Sequence, residues 1–440
     1  MKVLALLGVA VVAAAAVYAQ ETPAIPASID LDTALSLALE NNFAIRQARA
    51  AYAAATGALI TSEAGRLPTV SAIGGYTKTD SSLIAFPGGS DTSWQGGLQA
   101  SQTIYSGGAV SSSIKSSRLS REAAAQAFQE AVQGSLLQVR VGWYDVLLAR
   151  EQVSVQEQSI QLLEEELANA RSRVKAGSGS PFDELRAEVA LANGQPALIR
   201  ARNAYHIAAV DLLRNIGLPS DEAAADKVVG QLVYEPREIS LDAALASAQE
   251  NRPEIRRLQN LVKAAEANID TARASSRPRV AVVGGYTYQK SQFSEDTVDG
   301  WTVGAQGSWD IFDGRATHGR VAQSKAAAQQ ARLSFEDTRL AIEADVRRSF
   351  ASYRDAIELV NSSLKVVEQA EESLRLARSR FGAGAATQLD VLTAQVDLTT
   401  ARNNAAQARH DVAVAYAFLE RSAALAPLPA GATLDNPPTK

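Results

Sequence analysis

The sequence predicts a mainly α-helical chain with a small β part, in which long antiparallel coiled-coil hairpins and pairs of strands occur twice. Three observations predict this class. Only 6% of the residues are aromatic and 21% are charged in an alanine-rich chain, a composition that suits long helices better than a β-rich or disordered protein. Apolar residues recur every seven positions over long stretches, which is typical of coiled coils. Short motifs return in the same order in the second half.

The composition excludes several classes of protein. The 440 residues include no cysteine, which rules out disulfides, thiolate metal sites and a lipid anchor on cysteine. The three histidines, His206, His318 and His410, are too far apart in sequence to suggest a metal cluster. The net charge of -5 argues against a nucleic-acid partner. The sequence contains no nucleophile motif, P-loop or HExxH, so we expect neither enzymatic activity nor a cofactor.

The first 19 residues have the pattern of a signal peptide. A positive charge at Lys2 precedes an almost wholly apolar run over 3–17, and Val17-Tyr18-Ala19 supplies small residues at the outer positions of a cleavage site. The alternative is a transmembrane helix. The run is shorter than the roughly 20 residues that such a helix needs, and no stop-transfer charges follow. We therefore expect cleavage after Ala19 and export of the mature chain.

The repeated motifs predict an internal duplication. Leu31-Asp32-x-Ala-Leu returns as Leu241-Asp242-x-Ala-Leu, and Ala170-Arg171-Ser172-Arg173 returns as Ala377-Arg378-Ser379-Arg380. Each half is far longer than a solenoid repeat, so one duplication explains the matches better than a stacked array. The predicted division is a first repeat over 20–216, an inter-repeat or equatorial linker over 217–239, a second repeat over 240–423 and a flexible C-terminal tail over 424–440.

Each repeat is predicted to contain the same elements in the same order. Asp30 and Ser240 are suited to cap the first helices, and Pro68 and Pro278 should end the helical segments and start extended chain. Pro196 should kink or split the helix that contains it. The predicted ranges are helices over 32–65 and 241–276, strands over 69–80, 93–105, 279–290 and 301–312, and long helical hairpins over 108–215 and 315–421.

The second strand of each pair alternates apolar and polar residues. Such alternation, with aromatics near the strand ends, is what a lipid-facing β-barrel needs, although a half-buried sheet in a soluble domain shows the same pattern. Strands of about ten residues fit a tilted membrane span. Trp94, Trp301 and Trp309 are then membrane-interface aromatics. The predicted apolar face carries Trp94, Leu98, Ala100 and Ile104 in the first half and Trp301, Val303, Ala305, Trp309 and Ile311 in the second.

The long helices carry a seven-residue apolar period, which predicts a coiled-coil seam in each hairpin. The seam residues of the two halves lie 207 positions apart: Val139, Val146, Val153, Ile160, Leu167 and Val174, and Val346, Tyr353, Val360, Val367, Leu374 and Phe381. We expect Trp143 to join this seam and His206 to be packed. The run Glu164-Glu165-Glu166 should form a solvated helix face.

Four strands cannot close a barrel on their own, and open strand edges are not tolerated in lipid. If the strands span a membrane, several chains must therefore each contribute strands to one barrel. Such a shared barrel, continued by a ring of helices, would be a hollow tube open to water.

The arrangement resembles the TolC-type outer membrane efflux protein family. Besides the duplication, the resemblance rests on Glu250-Asn251-Arg252-Pro253, Arg277-Pro278-Arg279-Val280, Phe381-Gly382-x-Gly384 and Leu389-Asp390-Val391-Leu392. It implies a homotrimer in the outer membrane of a Gram-negative bacterium, with a 12-stranded transmembrane β-barrel and a periplasmic α-barrel. It also implies a periplasmic adaptor and an inner-membrane transporter of RND, ABC or MFS type as partners. The implied function is a passive exit duct for efflux or type I secretion, gated at its periplasmic tips.

The resemblance implies that functional residues lie at the two hairpin tips. Gly177, Ser178, Gly384 and Ala385 become candidates for docking the adaptor, although a plain exposed turn would have the same composition. Asp390, Asp183, Phe381 and Thr393 become candidates for the periplasmic gate. Phe381 aligns with a tyrosine that locks the gate elsewhere in the family, Ala386 lacks an arginine used there, and Thr393 replaces a second acid.

The two acids after the tips have a structural explanation as well. Ser180-x-x-Asp183 and Thr387-x-x-Asp390 resemble capping boxes, with Pro181 at the first helical position. In a trimer, Asp390 would also form a ring of three carboxylates that favours cations. The two roles are compatible.

Two other functions remain open at this stage. One is a coiled-coil surface or adhesive protein without a through-channel, and the other is a soluble periplasmic enzyme or binding protein. Duplicated strands and hairpins argue against the first, and the lack of clustered polar motifs argues against the second.

Overall fold

The computed structural model describes residues 26–80, 82, 91–219, 226–233, 237–290 and 297–425. The predicted signal peptide, residues 81 and 83–90 of the first inter-strand loop, residues 291–296 of the second and the tail from 426 lie outside this part of the chain. So do residues 220–225 and 234–236 of the predicted linker.

The chain is mainly helical with one four-stranded sheet, as predicted. In the first half the elements are α1 Leu31–Asn41, α2 Phe43–Ala64, β1 Thr69–Lys78, β2 Thr92–Tyr105, α3 Ala109–Lys175 and α4 Pro181–Ile216. In the second half they are α5 Leu241–Asn251, α6 Pro253–Arg273, β3 Arg279–Lys290, β4 Thr297–Ser308, α7 Ala316–Gly382 and α8 Gln388–Ser422. Both α3 and α7 contain 67 residues. Of the helices described, none has the length and apolar content to cross a bilayer.

The sheet is antiparallel in the order β1-β2-β3-β4. Leu98 pairs with Tyr286, which pairs in turn with Trp301. Paired residues point to the same face of a sheet, so these three side chains share one face. Trp94, four residues before Leu98, lies on that face too. The predicted apolar and polar alternation is therefore confirmed within the paired parts of the strands.

The prediction for the fourth strand was wrong by four residues at each end. β4 spans Thr297–Ser308 and pairs continuously with β3, from Lys290 opposite Thr297 to Arg279 opposite Ser308. Pro278 precedes β3 and has no backbone N–H, so the ladder ends there. Trp309 and Ile311 consequently follow the strand and do not belong to its apolar face. A register shift in β2 between Thr103 and Tyr105 likewise takes Ile104 out of the regular alternation.

Of the two outcomes predicted for Pro196, a split is excluded, since α4 runs without a break through it. A Cβ added to Gly194 would lie 2.9 Å from the Ile160 side chain and 3.1 Å from that of Leu163, so α4 lies directly against α3 close to this proline.

The described residues fall into two compact units, each formed from three stretches of chain. The first unit comes from Met1–Asn42, Gln138–Tyr234 and Glu358–Val414, and the second from Phe43–Leu137, Glu235–Ile357 and Ala415–Lys440. The first unit includes part of the inter-repeat segment: Ile29 forms a parallel bridge with Val228, and Trp143 donates to the Ile29 carbonyl at 3.4 Å. Trp143 is buried, and its ring lies directly against Gly230 of the inter-repeat segment.

The second unit contains a buried charge cluster at the start of α6. Arg252 and Glu254 are 6% and 7% exposed, and the Arg252 guanidinium donates to both Glu254 oxygens at 2.7 and 3.2 Å. It also donates to Asp345 of α7 at 3.2 Å and to the Ser422 carbonyl at 3.4 Å. Burial raises the pKa of Glu254, but the hydrogen bonds and charge of Arg252 outweigh burial and hold that pKa below its usual value. The cluster therefore ties α6, α7 and α8 together through charged groups.

Candidate functional site

The first unit contains all of α4 and parts of α3, α7 and α8. Within each hairpin, apolar contacts and ion pairs occur together. Leu167 and Ala170 of α3 pack with Ala187 of α4, and Glu157 of α3 pairs with Arg202 of α4 at 2.8 Å. Leu374 of α7 packs with Val391 of α8, and Glu371 pairs with Arg402 at 2.8 Å. Between the hairpins, Leu162 of α3 packs against the second apolar cluster, and α3 also meets α8 through polar groups. The pairs are Glu151 with Arg409 at 3.4 Å, Gln158 with Arg402 at 2.7 Å, and Ser159 with Gln395 and Thr399 at 3.3 and 3.2 Å.

Both hairpin tips turn in the same way. Gly177 and Gly384 have φ angles of 73° and 74°, a left-handed conformation that glycine adopts at low cost after a helix. The following residues close the turn, since the Ser178 N–H donates to the Arg173 carbonyl at 2.9 Å and the Ala385 N–H to the Arg380 carbonyl at 2.8 Å. All four predicted docking residues are exposed.

Asp390 completes a capping box at the start of α8. Its carboxylate accepts from the Thr387 backbone N–H at 2.7 Å and from the Thr387 hydroxyl at 2.8 Å, and the Asp390 N–H donates to the Thr387 hydroxyl at 3.3 Å. The backbone hydrogen bond, the hydroxyl and Arg380 lower the pKa of Asp390. The group is therefore a carboxylate at neutral pH while it caps the helix. Thr393, one turn further on, is exposed.

The tip of the first hairpin is capped differently. There the Ser180 hydroxyl accepts from the Phe182 N–H at 3.2 Å, with Pro181 at the first helical position. Asp183 lies in the first turn of α4 and is half-buried. The two acids that looked alike in sequence are thus in different settings.

A contact that the sequence did not reveal joins the two hairpins at their tips. The Arg173 guanidinium of α3 lies over the Phe381 ring of α7, 4.4 Å from its centroid. This distance is well within the range of a cation–π interaction. Phe381, which has no hydroxyl, thus interacts with the other hairpin through the face of its ring.

Two predictions about single side chains were wrong. Glu166 is 4% exposed and not solvated, because it lies on the inner side of α3, whereas Glu164 and Glu165 face outward. Burial raises its pKa, and Arg378 and Arg173 oppose that rise. His206 is exposed in one chain, because it lies on the face of α4 that does not meet α3. The buried histidine is His410 on α8, which lies between two carboxylates.

The predicted interface aromatics lie in or next to the sheet. Trp94 in β2 lies 5.2 Å from the ring of Tyr288 in β3. Trp301 in β4 is 76% exposed. Trp309 is also exposed, and its indole N–H donates to the Ser276 carbonyl at 3.1 Å. Across the residues that the structure describes, no group of three or more acidic or histidine side chains could hold a metal ion.

Comparison with known proteins identifies the class. The model of the outer membrane efflux protein family matches residues 34–218 and again residues 244–424. Protein CyaE of Bordetella pertussis is 27% identical over 349 residues, which cover 77% of this chain and 71% of that protein. Outer membrane efflux protein BepC of Brucella suis is 25% identical over 330 residues, covering 73% and 70%. The solved CmeC outer membrane channel of Campylobacter jejuni has the same fold, with a TM-score of 0.78 at 16% identity over 89% of this chain and 85% of that one.

Paired long hairpins and a small antiparallel sheet, each supplied by both halves of one chain, form the fold that this chain shares with the CmeC channel. The chain belongs to the outer membrane efflux protein family, whose model matches it once in each half. The resemblance seen in the sequence is confirmed.

Proposed function

We propose that three copies of this chain assemble into one passive exit duct that conducts substrates out of the cell through the outer membrane. A periplasmic adaptor and an inner-membrane transporter of RND, ABC or MFS type would supply the substrate and the energy. The relatives named as efflux proteins and channels support this role. Export of the chain would use the signal peptide over 1–19.

The main support for this proposal comes from the two open edges of the sheet. β1 and β4 are the two edge strands, with unpaired backbone groups along ten and twelve residues. Lipid cannot satisfy those groups, since each unmade hydrogen bond there costs several kcal/mol. A second copy that adds its β1 beside β4 satisfies one edge, and a closed ring satisfies them all. Three copies give twelve strands, which is within the range of membrane barrels.

The first unit supports assembly independently. Phe182, Leu185, Val189 and Ile199 follow one face of α4 and are more than half exposed. Leu359, Val366 and Leu376 likewise follow an exposed face of α7. Because α3 and α8 meet each other within the chain, these two faces are left for neighbouring copies. A ring in which α4 of one copy packs against α7 of the next buries both.

The tips would form the gate of such a duct. Three Asp390 carboxylates around one axis would favour cations, with Asp183 and Thr393 nearby. The contact of Arg173 with Phe381 would hold the two hairpins of each copy together in the closed state. The exposed turns at Gly177, Ser178, Gly384 and Ala385 would seat the adaptor.

Replacing Asp390 with asparagine should lower the cation preference of the channel. The asparagine oxygen can still accept from Thr387, so the helix cap is kept while three charges are lost. Reversal potentials in planar bilayers under a salt gradient measure this preference. The matched control is Asp242→Asn, an exposed acid in the first turn of α5. Equal selectivity of Asp390→Asn and the unmodified channel would show that Asp390 does not form a ring that selects cations.

The duct itself is tested by single-channel recording of the purified, reconstituted chain. We expect discrete current steps that increase when the tips are loosened. A coiled-coil adhesive protein would insert without conducting. Absence of current from well-inserted protein whose tips have been loosened would therefore favour that alternative.

A further inference from the structure

His410 lies at the contact between the two hairpins and bridges two acids. It is 8% exposed on α8. Its Nε2 lies 2.8 Å from an Asp145 oxygen on α3, and its Nδ1 lies 3.0 Å from an Asp411 oxygen on its own helix. Gln407 donates to the same Asp411 oxygen at 2.7 Å. Both ring nitrogens therefore face carboxylate oxygens.

This geometry determines the charge of the ring. An ionised carboxylate only accepts hydrogen bonds, and a neutral imidazole has a single N–H. A neutral His410 would leave one nitrogen lone pair facing a carboxylate oxygen at hydrogen-bond distance. Only the imidazolium can donate to Asp145 and Asp411 at once, so the arrangement fits protonated His410.

Among the described residues, two acids provide the charges that act on this ring. Arg409, the neighbour on α8, is paired with Glu151 of α3. The α7 residues that line a cavity with Asp411, namely Leu359, Ser362, Ser363 and Val366, are uncharged. The charged side chains that act on the ring are thus Asp145 from α3 and Asp411 from α8.

The position of His410 on α8 indicates that its hydrogen bond to Asp145 affects how far the two hairpins can separate. Beside an apolar contact of Leu162, the α3–α8 contact includes polar pairs such as Gln158 with Arg402 and Ser159 with Gln395. Water can replace the partners of these polar side chains when the two helices separate. His410 is 20 residues beyond Asp390 on α8, which at 1.5 Å per residue is about 30 Å from the tip.

We propose that His410 is a proton-dependent tie that fastens α8 to α3 and limits how far the hairpins separate when the tips open. This inference rests on the proposed gating at the tips and adds a point of regulation to it. Nearer the tips the polar contacts can exchange for water, whereas at His410 separation requires that the charge-assisted hydrogen bond between the buried ring and the half-exposed Asp145 carboxylate be broken.

The direction of the pH dependence follows from the two acids. Burial lowers the pKa of His410, but the hydrogen bonds and charges of Asp145 and Asp411 outweigh burial and raise it above the ordinary 6.5. A raised folded-state pKa gives stabilisation that is complete below the unfolded value and is lost as pH rises through the folded value. The tie should hold at pH 6 and loosen in alkaline solution.

The test measures the separation of α3 and α8 in the assembled protein. Spin labels on cysteines that replace the exposed Gln161 and Thr400 report distances across the contact, because the chain has no cysteine of its own. Labelled chains are diluted with unlabelled ones, so that distances within one copy dominate. Between pH 6 and pH 9 we expect the ratio of long to short distances to rise about tenfold, which is the effect of losing one charge-assisted hydrogen bond.

Three variants separate the tie from general loosening. His410→Gln should show long distances at both pH values, and Asp145→Asn should remove most of the pH dependence. His318→Gln changes an exposed histidine near the start of α7 and should behave like the unmodified chain. A pH-independent distance in the unmodified chain, or an unchanged pH response in His410→Gln, would overturn the tie. The same samples are recorded in planar bilayers: current with a pH-independent distance refutes the tie alone, whereas absence of current counts against the duct.

Discussion

Replacing Arg252 with alanine should lower the free energy of unfolding by about 3–5 kcal/mol, the usual effect of removing one partner of a buried ion pair. The substitution leaves the buried Glu254 carboxylate with Arg421 at 3.9 Å, too far for a hydrogen bond. It also removes the donors to Asp345 of α7 and to the Ser422 carbonyl of α8. Thermal unfolding followed by circular dichroism measures the loss.

Two further variants make this prediction specific. Arg256→Ala removes an exposed arginine from the same helix and should change stability little. The double variant Arg252→Met with Glu254→Leu removes both buried charges and should recover most of the lost stability, because apolar replacement of a whole pair is often neutral. If Arg252→Ala unfolds at the temperature of the unmodified protein, the cluster is not a structural tie.

Loosening the tips should have the largest effect on conduction. We expect Arg173→Ala to raise the open probability of the reconstituted channel about 10- to 100-fold. A cation–π contact at an exposed site contributes about 0.5–1 kcal/mol, and the proposed trimer contains three of them. If the three break together, the closed state loses about 1.5–3 kcal/mol, and each 1.4 kcal/mol changes an equilibrium tenfold. Single-channel recording measures the open fraction directly.

The control for this experiment is a cation–π contact within a single helix far along the chain from the tips. Arg46 lies over the ring of Phe43 at 5.8 Å, and both belong to α2. Arg46→Ala should therefore leave the open fraction unchanged. Phe381→Ala should match Arg173→Ala, and the double variant should add little to either, because both remove the same contact. Additive effects of the two substitutions would show that Arg173 and Phe381 act separately.

Much of the fold could be predicted from the sequence because its patterns are periodic. The seven-residue spacing that contains Val139, Val146, Val346 and Val360 depends only on helix geometry, and all four residues are fully buried. The two-residue alternation around Trp94 and Leu98 likewise follows from the pleat of a strand.

The features that sequence did not reveal depend on contacts between distant segments. Arg173 and Phe381, or Asp145 and His410, belong to different hairpins, and no local period shows that they meet. Packing of distant segments against one side of α3 buries Glu166, and the pairing with β3 determines where β4 ends. His206 was predicted to be packed but is exposed in one chain. The seven-residue spacing on α4 does not distinguish a face that packs within the chain from a face that another copy would cover.

The mass of the particle in detergent shows whether three copies share one hollow wall. Light scattering with correction for bound detergent, combined with native mass spectrometry, counts the chains. We expect a single species with three times the mass of the mature chain, and loss of that species when a proline in β1 disrupts the edge that pairs with the next copy. A stable particle with the mass of one chain would contradict it.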